Sequence, residues 1–166
     1  MTVAVRRVGS DEGQVLKETR LAALADSPSA FASTYEAEVQ RADDEWAERA
    51  RLGHTGADRV TFFAVDEERI VGLVGGYRPD ANGTGVELVS MWTSPEARRA
   101  GVGRALVLAV VEWARSLSVT AVDLWVTSGN QPALRLYESM GFRETGDYQP
   151  HTSDPCTDEI RMTLAL

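Results

Sequence analysis

The sequence predicts a mixed α/β domain with a largely antiparallel sheet of six to seven strands, one central parallel β-α-β step and about four helices on both faces. Short polar links separate three consecutive apolar runs between residues 60 and 92, which is the spacing of an antiparallel meander. A glycine-bearing loop and a segment of helical periodicity then lead to an apolar run at 121–126, and such a crossover joins parallel strands. The 166 residues, 43% hydrophobic and 25% charged, suit one globular domain spanning 1–166.

The first third of the chain predicts one strand and two helices. Residues 3–8 form the strand, and Ser10-Asp11-Glu12 supplies a capping oxygen and an acidic first turn for a helix reaching about Ala25. A Ser-Pro-Ser break at 27–29 precedes a second helix over 36–52, which Gly53 ends. The apolar residues of this helix share one face, as in a helix that packs one stripe on a core: Val39, Ala42, Trp46 and Ala50.

The middle of the chain predicts the meander and its crossover. Runs at 60–65 and 70–77 flank a charged turn, and a second turn at 79–85 leads to the strand 86–92. Leucine, valine and tryptophan then recur at helical spacing up to residue 117: Leu106, Val110, Trp113 and Leu117.

The last third predicts a helix and two strands. Asn130 and Pro132 suit the first turn of the helix, and Gly141 closes it. Strands are expected at 142–148 and 160–166, joined by a surface loop at 149–158 that contains His151 and Cys156.

Composition excludes several classes of function. The formal net charge of -8 argues against a nucleic-acid or anionic-membrane surface and suits a cationic partner better. Cys156 is the single cysteine, and the two histidines show no metal-ligand spacing, so no disulfide and no metal are expected. Residues 1–7 lack the order of a signal peptide, which favours a cytoplasmic location.

The basic, glycine-bearing loop between residues 93 and 104 predicts an anion site, because a strand that feeds a loop opening a helix directs several N–H groups at one spot. A Walker loop requires Lys and then Ser or Thr after its last glycine, where this chain has Arg104 and Ala105. A dinucleotide fingerprint would place a third glycine where Leu106 stands, and it uses a tighter strand-to-helix turn.

A third pattern fits better. Arg98, Gly101 and Gly103 fill Arg/Gln-x-x-Gly-x-Gly/Ala, which resembles the acyl-CoA motif of the GCN5-related N-acetyltransferase (GNAT) superfamily. A second GNAT signature, Asn-x-x-Ala-x-x-x-Tyr-x-x-x-Gly-Phe, follows at 130–142. The predicted order of strands and helices is similar to the GNAT fold over essentially the whole chain.

This resemblance implies acetyl-CoA as acyl donor and a set of residues that hold it. Backbone N–H groups near 99–104 would bind the diphosphate, and the pantetheine arm would run beside the strand at 91–93, so that the thioester lies where the two parallel strands separate. The implied contacts are Met91, Trp92, Thr93, Arg98, Arg99, Ala100, Gly101, Val102, Gly103, Arg104, Asn130, Ala133 and Tyr137.

The resemblance also assigns catalytic groups for transfer of the acetyl group to a primary amine of a small molecule, peptide or protein. Tyr137 matches the family position beside the cofactor sulfur and would protonate the departing thiolate; the alternative is a tyrosine packed on its helix with Ala133 and Met140. Glu87 is the candidate base, against the alternative of a solvated strand residue, and Glu36, Glu38 and Asp123 are weaker candidates.

The connection between the two early helices would cover the acceptor side in this family. Phe31 and Tyr35 are predicted to wall an acceptor pocket and Glu36 or Glu38 to attract a cationic amine, with ordinary packing of a helix connection as the alternative. Similar proteins are often homodimers, so a dimer is expected as well. The competing function is a non-catalytic module that binds coenzyme A as a sensor or structural ligand, and the intact second signature favours the enzyme.

Overall fold

A computed structural model describes residues 1–166 and contains one seven-stranded sheet. Its strands are β1 (Val3–Arg7), β2 (Arg59–Asp66), β3 (Arg69–Tyr77), β4 (Gly85–Thr93), β5 (Ala121–Thr127), β6 (Arg143–His151) and β7 (Asp154–Ala165). They lie in the order β1-β2-β3-β4-β5-β7-β6, and only β4 and β5 pair in parallel. The predicted meander with a single parallel step is therefore confirmed.

Helices cover both faces of this sheet. They are α1 (Gly13–Asp26), α2 (Tyr35–Val39), α3 (Asp43–Thr55), α4 (Val102–Ser116) and α5 (Gln131–Ser139), and 3₁₀ turns lie at Pro28–Ala30 and Pro95–Ala97. Residues of α4 and α5 share the larger core with β2 to β5 and β7, whereas α1 and α3 form a smaller core with the other face of β2 to β4. Burial on both faces explains the apolar strands in the middle of the sheet.

The predicted second helix is wrong in detail, because the structure divides it. Ala42 is extended, and α3 begins after it with the Glu45 carboxylate accepting a hydrogen bond from the Ala42 N–H at 3.0 Å. Of the four residues expected to share the apolar face, Trp46 and Ala50 are buried and Val39 is exposed. The helix also continues past Gly53 and ends at Gly56, whose φ of 66° is the left-handed conformation of a helix end.

The predicted surface loop at 149–158 is also wrong. Strands β6 and β7 form a hairpin through this region, with Pro150 opposite Asp158 and His151 opposite Asp154. Proline is tolerated there because β6 is an edge strand. His151, expected on the surface, is only 2% exposed.

The start of α1 differs from its prediction as well. Glu12 precedes the first helical residue, and no side chain caps the helix. The Glu12 carboxylate instead accepts hydrogen bonds from the Gly9 N–H and the Arg6 guanidinium, which ties β1 to the loop before α1. None of the helices has both the length and the apolar character needed to cross a membrane.

Candidate active site

A cleft opens where β4 and β5 separate. The two strands pair only from Gly85 and Ala121 to Leu88 and Leu124, so their following residues have no partner on the facing side. The cause lies in β4, where a register shift against β3 coincides with Ser90 at a φ of 57°. Such a bulge bends a strand and increases its twist, here away from β5. The resulting splay cleft has a volume of about 940 Å³ and is lined by the second halves of both strands, the start of α4, α5 and residues 26–30.

One end of the splay cleft carries a cradle of unpaired donors formed by residues 99–104. Their backbone N–H groups donate to no acceptor within the chain, and no side chain caps α4. Arg99 and Gly101 have φ values of 64° and 82°, which turn successive N–H groups toward one side. A Cβ added at Gly101 would meet nothing within 4 Å, so the space beside Gly101 is open. Donors at a helix start with open space beside them fit a phosphate group.

The arginines of this loop differ in their roles. Arg98 is held by Asp26 and donates to the Thr93 carbonyl at 3.2 Å, so its guanidinium joins the end of α1 to the end of β4. Arg104 donates to Ser139 at 2.8 Å and links α4 to α5. Arg99 makes no side-chain hydrogen bond or ion pair and is exposed, which leaves it as the free cation at the cleft. Ala100 and Val102 do not line the cleft with their side chains, and Val102 is 1% exposed.

The second signature defines the two ends of α5. Asn130 accepts a hydrogen bond from the Ala133 N–H at 3.2 Å and so caps the helix, as predicted. At the other end the Phe142 N–H donates to Tyr137 O and the Gly141 N–H to Glu138 O, with Gly141 at a φ of 95°. This is a Schellman motif, and its usual apolar contact is the edge-to-face pair of Tyr137 and Phe142, whose ring centroids are 5.6 Å apart. The residues of the second signature therefore determine the position of Tyr137 in α5.

Tyr137 lines the splay cleft from α5. Its side chain is 5% exposed, and its hydroxyl makes no hydrogen bond within the chain. Burial raises the pKa of the Tyr137 phenol above its ordinary value, so it keeps its proton over the physiological range. A buried phenol normally has a partner, and an unpaired one that faces a cleft is available to donate to a ligand.

Glu87 lies in the paired part of β4 and lines neither the splay cleft nor the second cavity described below. Its carboxylate accepts a hydrogen bond from the Tyr77 hydroxyl on β3. Burial and this bond raise the pKa of Tyr77 to about 12, so the phenol remains the donor of the pair. Asp123, the neighbour of Glu87 on β5, is held by Arg161 at 3.0 Å.

A second cavity of about 290 Å³ lies between β2, β3 and β4 on one side and α1 and α3 on the other. We call it the arginine cavity, because Arg20, Arg49 and Arg59 line it. Val89 and Ser90 line both this cavity and the splay cleft, so the two spaces adjoin the bulge of β4.

The residues predicted to wall an acceptor pocket lie outside both cavities. Phe31 is 2% exposed and packs beneath the Arg20 guanidinium, 4.6 Å from its ring centroid. Tyr35 and Glu36 are exposed on α2. Glu38 is fully buried among arginines and is not free to attract an amine.

The structure adds residues that the sequence did not indicate. Residues 26–30 and 125–127, the end of β5 that does not pair with β4, line the splay cleft together with Glu159 of β7. The Glu159 carboxylate lies 3.8 Å from Nε2 of the buried His151 and accepts a hydrogen bond from Gln149 at 2.9 Å. Glu159, His151 and Gln149 come together only because β6 and β7 form a hairpin, and no local sequence pattern predicts that hairpin. The chain has no group of three or more His, Cys, Asp and Glu residues that could hold a metal ion.

The splayed sheet and the donor cradle at the start of α4 define an α/β fold with a site for an extended, phosphate-bearing ligand. The chain belongs to the GNAT acetyltransferase family, whose model matches residues 21–142. A mycothiol acetyltransferase from Thermomonospora curvata is 33% identical over 143 residues, which cover 86% of this chain and 44% of that protein. The chain spans less than half the length of the first curated relatives it matches.

Solved structures share the whole fold. The PaiA N-acetyltransferase from Thermoplasma acidophilum, in complex with coenzyme A, superposes with a TM-score of 0.79 at 14% identity over 100% of both chains. An acetyltransferase of the GNAT family from Streptococcus pneumoniae gives a TM-score of 0.81 at 17% identity over 99% of both chains. The predicted GNAT fold is therefore confirmed.

The cradle leads to a direct prediction. Gly101→Ala is expected to weaken acetyl-CoA binding about tenfold or more, because its Cβ would stand in the open space beside the free N–H groups, and losing one bond to a charged group costs about 1.5–3 kcal/mol. Titration calorimetry measures the dissociation constant.

Gly146→Ala is the matched control. Gly146 has a φ of 90° and equally open space, but it lies on β6 outside the cleft. Both variants should lose similar stability, about 1–2 kcal/mol for a left-handed alanine, and only Gly101→Ala should lose affinity. Equal affinities for the two variants would contradict the cradle.

Proposed function

We propose that this chain transfers the acetyl group of acetyl-CoA to a primary amine by direct attack in a ternary complex. The observation that carries this proposal is the splay cleft itself, with unpaired N–H groups at one end and an unpaired phenol on its wall. A diphosphate with an extended arm fits that arrangement, because the arm can run along the free edge of β4 in the way of an added strand.

The residues that would hold acetyl-CoA divide by their chemistry. The N–H groups of residues 99–104 would bind the diphosphate, with Arg99 adding a charge-assisted contact. Met91 and Thr93 would offer backbone groups to the arm, and Asn130 and Ala133 form the opposite wall. Arg98 and Trp92 act indirectly, because both bind Asp26 and so hold the end of β4 against α1.

The bound thioester supplies an activated acyl group and a thiolate leaving group. During transfer a C–N bond forms and the C–S bond breaks, so the amine must lose a proton and the sulfur must gain one. Tyr137 is the proposed acid, since its phenol is protonated, unpaired and exposed to the cleft.

Two carboxylates compete for the role of base. Glu87 reaches the arginine cavity through the Tyr77 hydroxyl, and a water beside this pair would carry the amine proton to the carboxylate. Glu159 lines the splay cleft directly, with His151 behind it. We propose Glu87, because its side chain lies on the same face of the sheet as Val89, which lines the arginine cavity. Val89 and Ser90 also line the splay cleft, so this face of β4 lies next to it.

Glu87→Gln is expected to move the acid limb of the kcat/KM profile to higher pH. With the carboxylate gone, solvent must supply the free amine, so activity should fall about 10- to 100-fold near neutral pH and recover in alkali. Glu159→Gln should leave the limb in place. A shift with Glu159→Gln and none with Glu87→Gln would assign the base to Glu159.

A thiol-release assay with acetyl-CoA over amino acids, polyamines, aminoglycosides and peptides tests the function. Turnover of any amine supports the enzyme. Binding of coenzyme A without turnover would favour the competing sensor module, and absence of binding would contradict both. The cytoplasmic location and the homodimer stay predictions of the sequence.

A further inference from the structure

The arginine cavity is strongly basic although the chain as a whole is acidic. Arg20 of α1, Arg49 of α3 and Arg59 of β2 line it, and no aspartate or glutamate does. The formal net charge of the chain is -8, so this concentration of positive charge is local. Because the cavity adjoins the splay cleft at Val89 and Ser90, its contents lie next to the proposed reaction centre.

Part of this positive charge is balanced within the protein. The buried Glu38 carboxylate lies 3.4 Å from Arg20 and 2.8 Å from Arg49, and a third partner, Arg41, approaches it at 3.2 Å from outside the cavity. Arg41 also pairs with Glu45 at 3.1 Å, so two carboxylates face three guanidinium groups and the cluster keeps a net positive charge.

Arg20 also donates to the Ser90 hydroxyl and Tyr77 donates to Glu87, but other donors of the cavity have no partner. Arg59 makes no ion pair and no side-chain hydrogen bond, and it lies directly opposite Tyr77 in the sheet. Arg20 Nε and Trp46 Nε1 are buried without a hydrogen-bond partner, although both residues line the cavity. Buried donors are normally paired, and an anionic ligand in the cavity would supply acceptors.

We propose that the acceptor is an amine that also carries a carboxylate, of the size of a free amino acid, with the carboxylate held in the arginine cavity. This inference rests on the proposed acetyl transfer and names its substrate class. Guanidinium groups bind carboxylates through paired, charge-assisted hydrogen bonds. A cationic amine without a carboxylate would instead meet uncompensated positive charge.

The cavity also orients such a molecule. Its volume of about 290 Å³ suits an amino acid, and Leu16, Trp46 and Leu73 give it apolar walls for a side chain. With the carboxylate at Arg59, which lies opposite Tyr77, the amine points toward Ser90, which lines both the cavity and the splay cleft and accepts a hydrogen bond from Arg20. The expectation of a cationic acceptor came from the overall acidity of the chain, and the local charge opposes it.

A matched substrate series tests the carboxylate. L-leucine, L-leucinamide and 3-methylbutylamine share one apolar group, and only the first carries the carboxylate; phenylalanine and its amide form a second series, and spermidine represents cationic acceptors. We expect kcat/KM for the acids to exceed that for their amides by about 10- to 100-fold, as for a charge-assisted bond. The amide loses its ammonium proton more readily, so the chemistry alone would favour the opposite order.

Two variants test the arginines. Arg59→Gln should raise KM for leucine about tenfold and leave KM for acetyl-CoA unchanged. Arg69→Gln, an exposed arginine that pairs with Glu96 outside both cavities, removes the same charge and should change neither. Arg49→Gln should act like Arg59→Gln, whereas Arg41→Gln, which also removes a partner of Glu38, should not.

Calorimetry on the protein loaded with coenzyme A distinguishes failure of the carboxylate site from failure of acetyl transfer. Binding of leucine that exceeds binding of leucinamide supports the carboxylate site. Equal or better binding and turnover of leucinamide, 3-methylbutylamine or spermidine would overturn it and leave the acetyltransferase proposal standing. Failure to bind coenzyme A would instead overturn the proposed function, and the substrate class with it.

Discussion

Tyr137→Phe is expected to lower kcat about 100-fold or more while acetyl-CoA binds as tightly as before. A general acid contributes roughly 10²- to 10⁴-fold to the rate, and the phenol is the unpaired proton donor on the wall of the splay cleft. The hydroxyl bonds to nothing within the chain, and the ring keeps its contact with Phe142, so the fold should be unaffected. Steady-state thiol release and calorimetry measure the two quantities.

Tyr148→Phe provides the control. Tyr148 is 61% exposed on β6, so the loss of its hydroxyl should change neither rate nor affinity. Full activity of Tyr137→Phe would show that Tyr137 is not the acid. A parallel loss of acetyl-CoA affinity would assign the residue to binding.

Glu38→Ala is expected to destabilise the fold by about 3–5 kcal/mol, because it leaves Arg20 buried without its carboxylate partner. Burial opposes the charge on Glu38, but Arg20 and Arg49 outweigh burial and lower the pKa of this carboxyl below its ordinary value. The expected fall in melting temperature is roughly 10 °C for a chain of this size. Thermal and urea unfolding measure it.

Glu48→Ala is the matched control, since Glu48 also lies in a glutamate–arginine pair but on the surface of α3. Its melting temperature should stay close to that of the unchanged protein. Glu38→Gln keeps the shape of the side chain and one hydrogen-bond acceptor, so this variant should fold. Its melting temperature should lie between those of Glu38→Ala and Glu48→Ala. A Glu38→Ala protein as stable as Glu48→Ala would show that the cluster does not hold α1 and α3 together.

Local patterns predicted what local interactions build. The Asn130 cap and the glycine after α5 were predicted because both flank one short helix, whereas the Tyr137–Phe142 contact was seen only in the structure. The meander was predictable for a similar reason, because short links between apolar runs leave few other pairings. The cradle followed from its glycines and from its place before a helix.

Interactions between distant residues were not predictable. The charge-rich sequence around Glu38 predicts a solvated side chain, yet the break before α3 turns it inward toward Arg20, which is 18 residues earlier. Arg98 was expected to bind phosphate, but its guanidinium forms an ion pair with Asp26 at the end of α1. His151 was predicted in a surface loop, and the β6–β7 hairpin buries it.

The sequence by itself determined the family, the fold class and the cradle, because each depends on residues close together in the chain. Only the tertiary structure decided what surrounds the acceptor. Arg20, Arg49 and Arg59 come from two helices and a strand, and their approach follows from the packing of α1 and α3 on the sheet. The net charge of the sequence describes an acidic protein, whereas the folded arrangement of side chains makes this cavity basic. The difference arises because electrostatic interactions depend on distance in space and not on position in the chain.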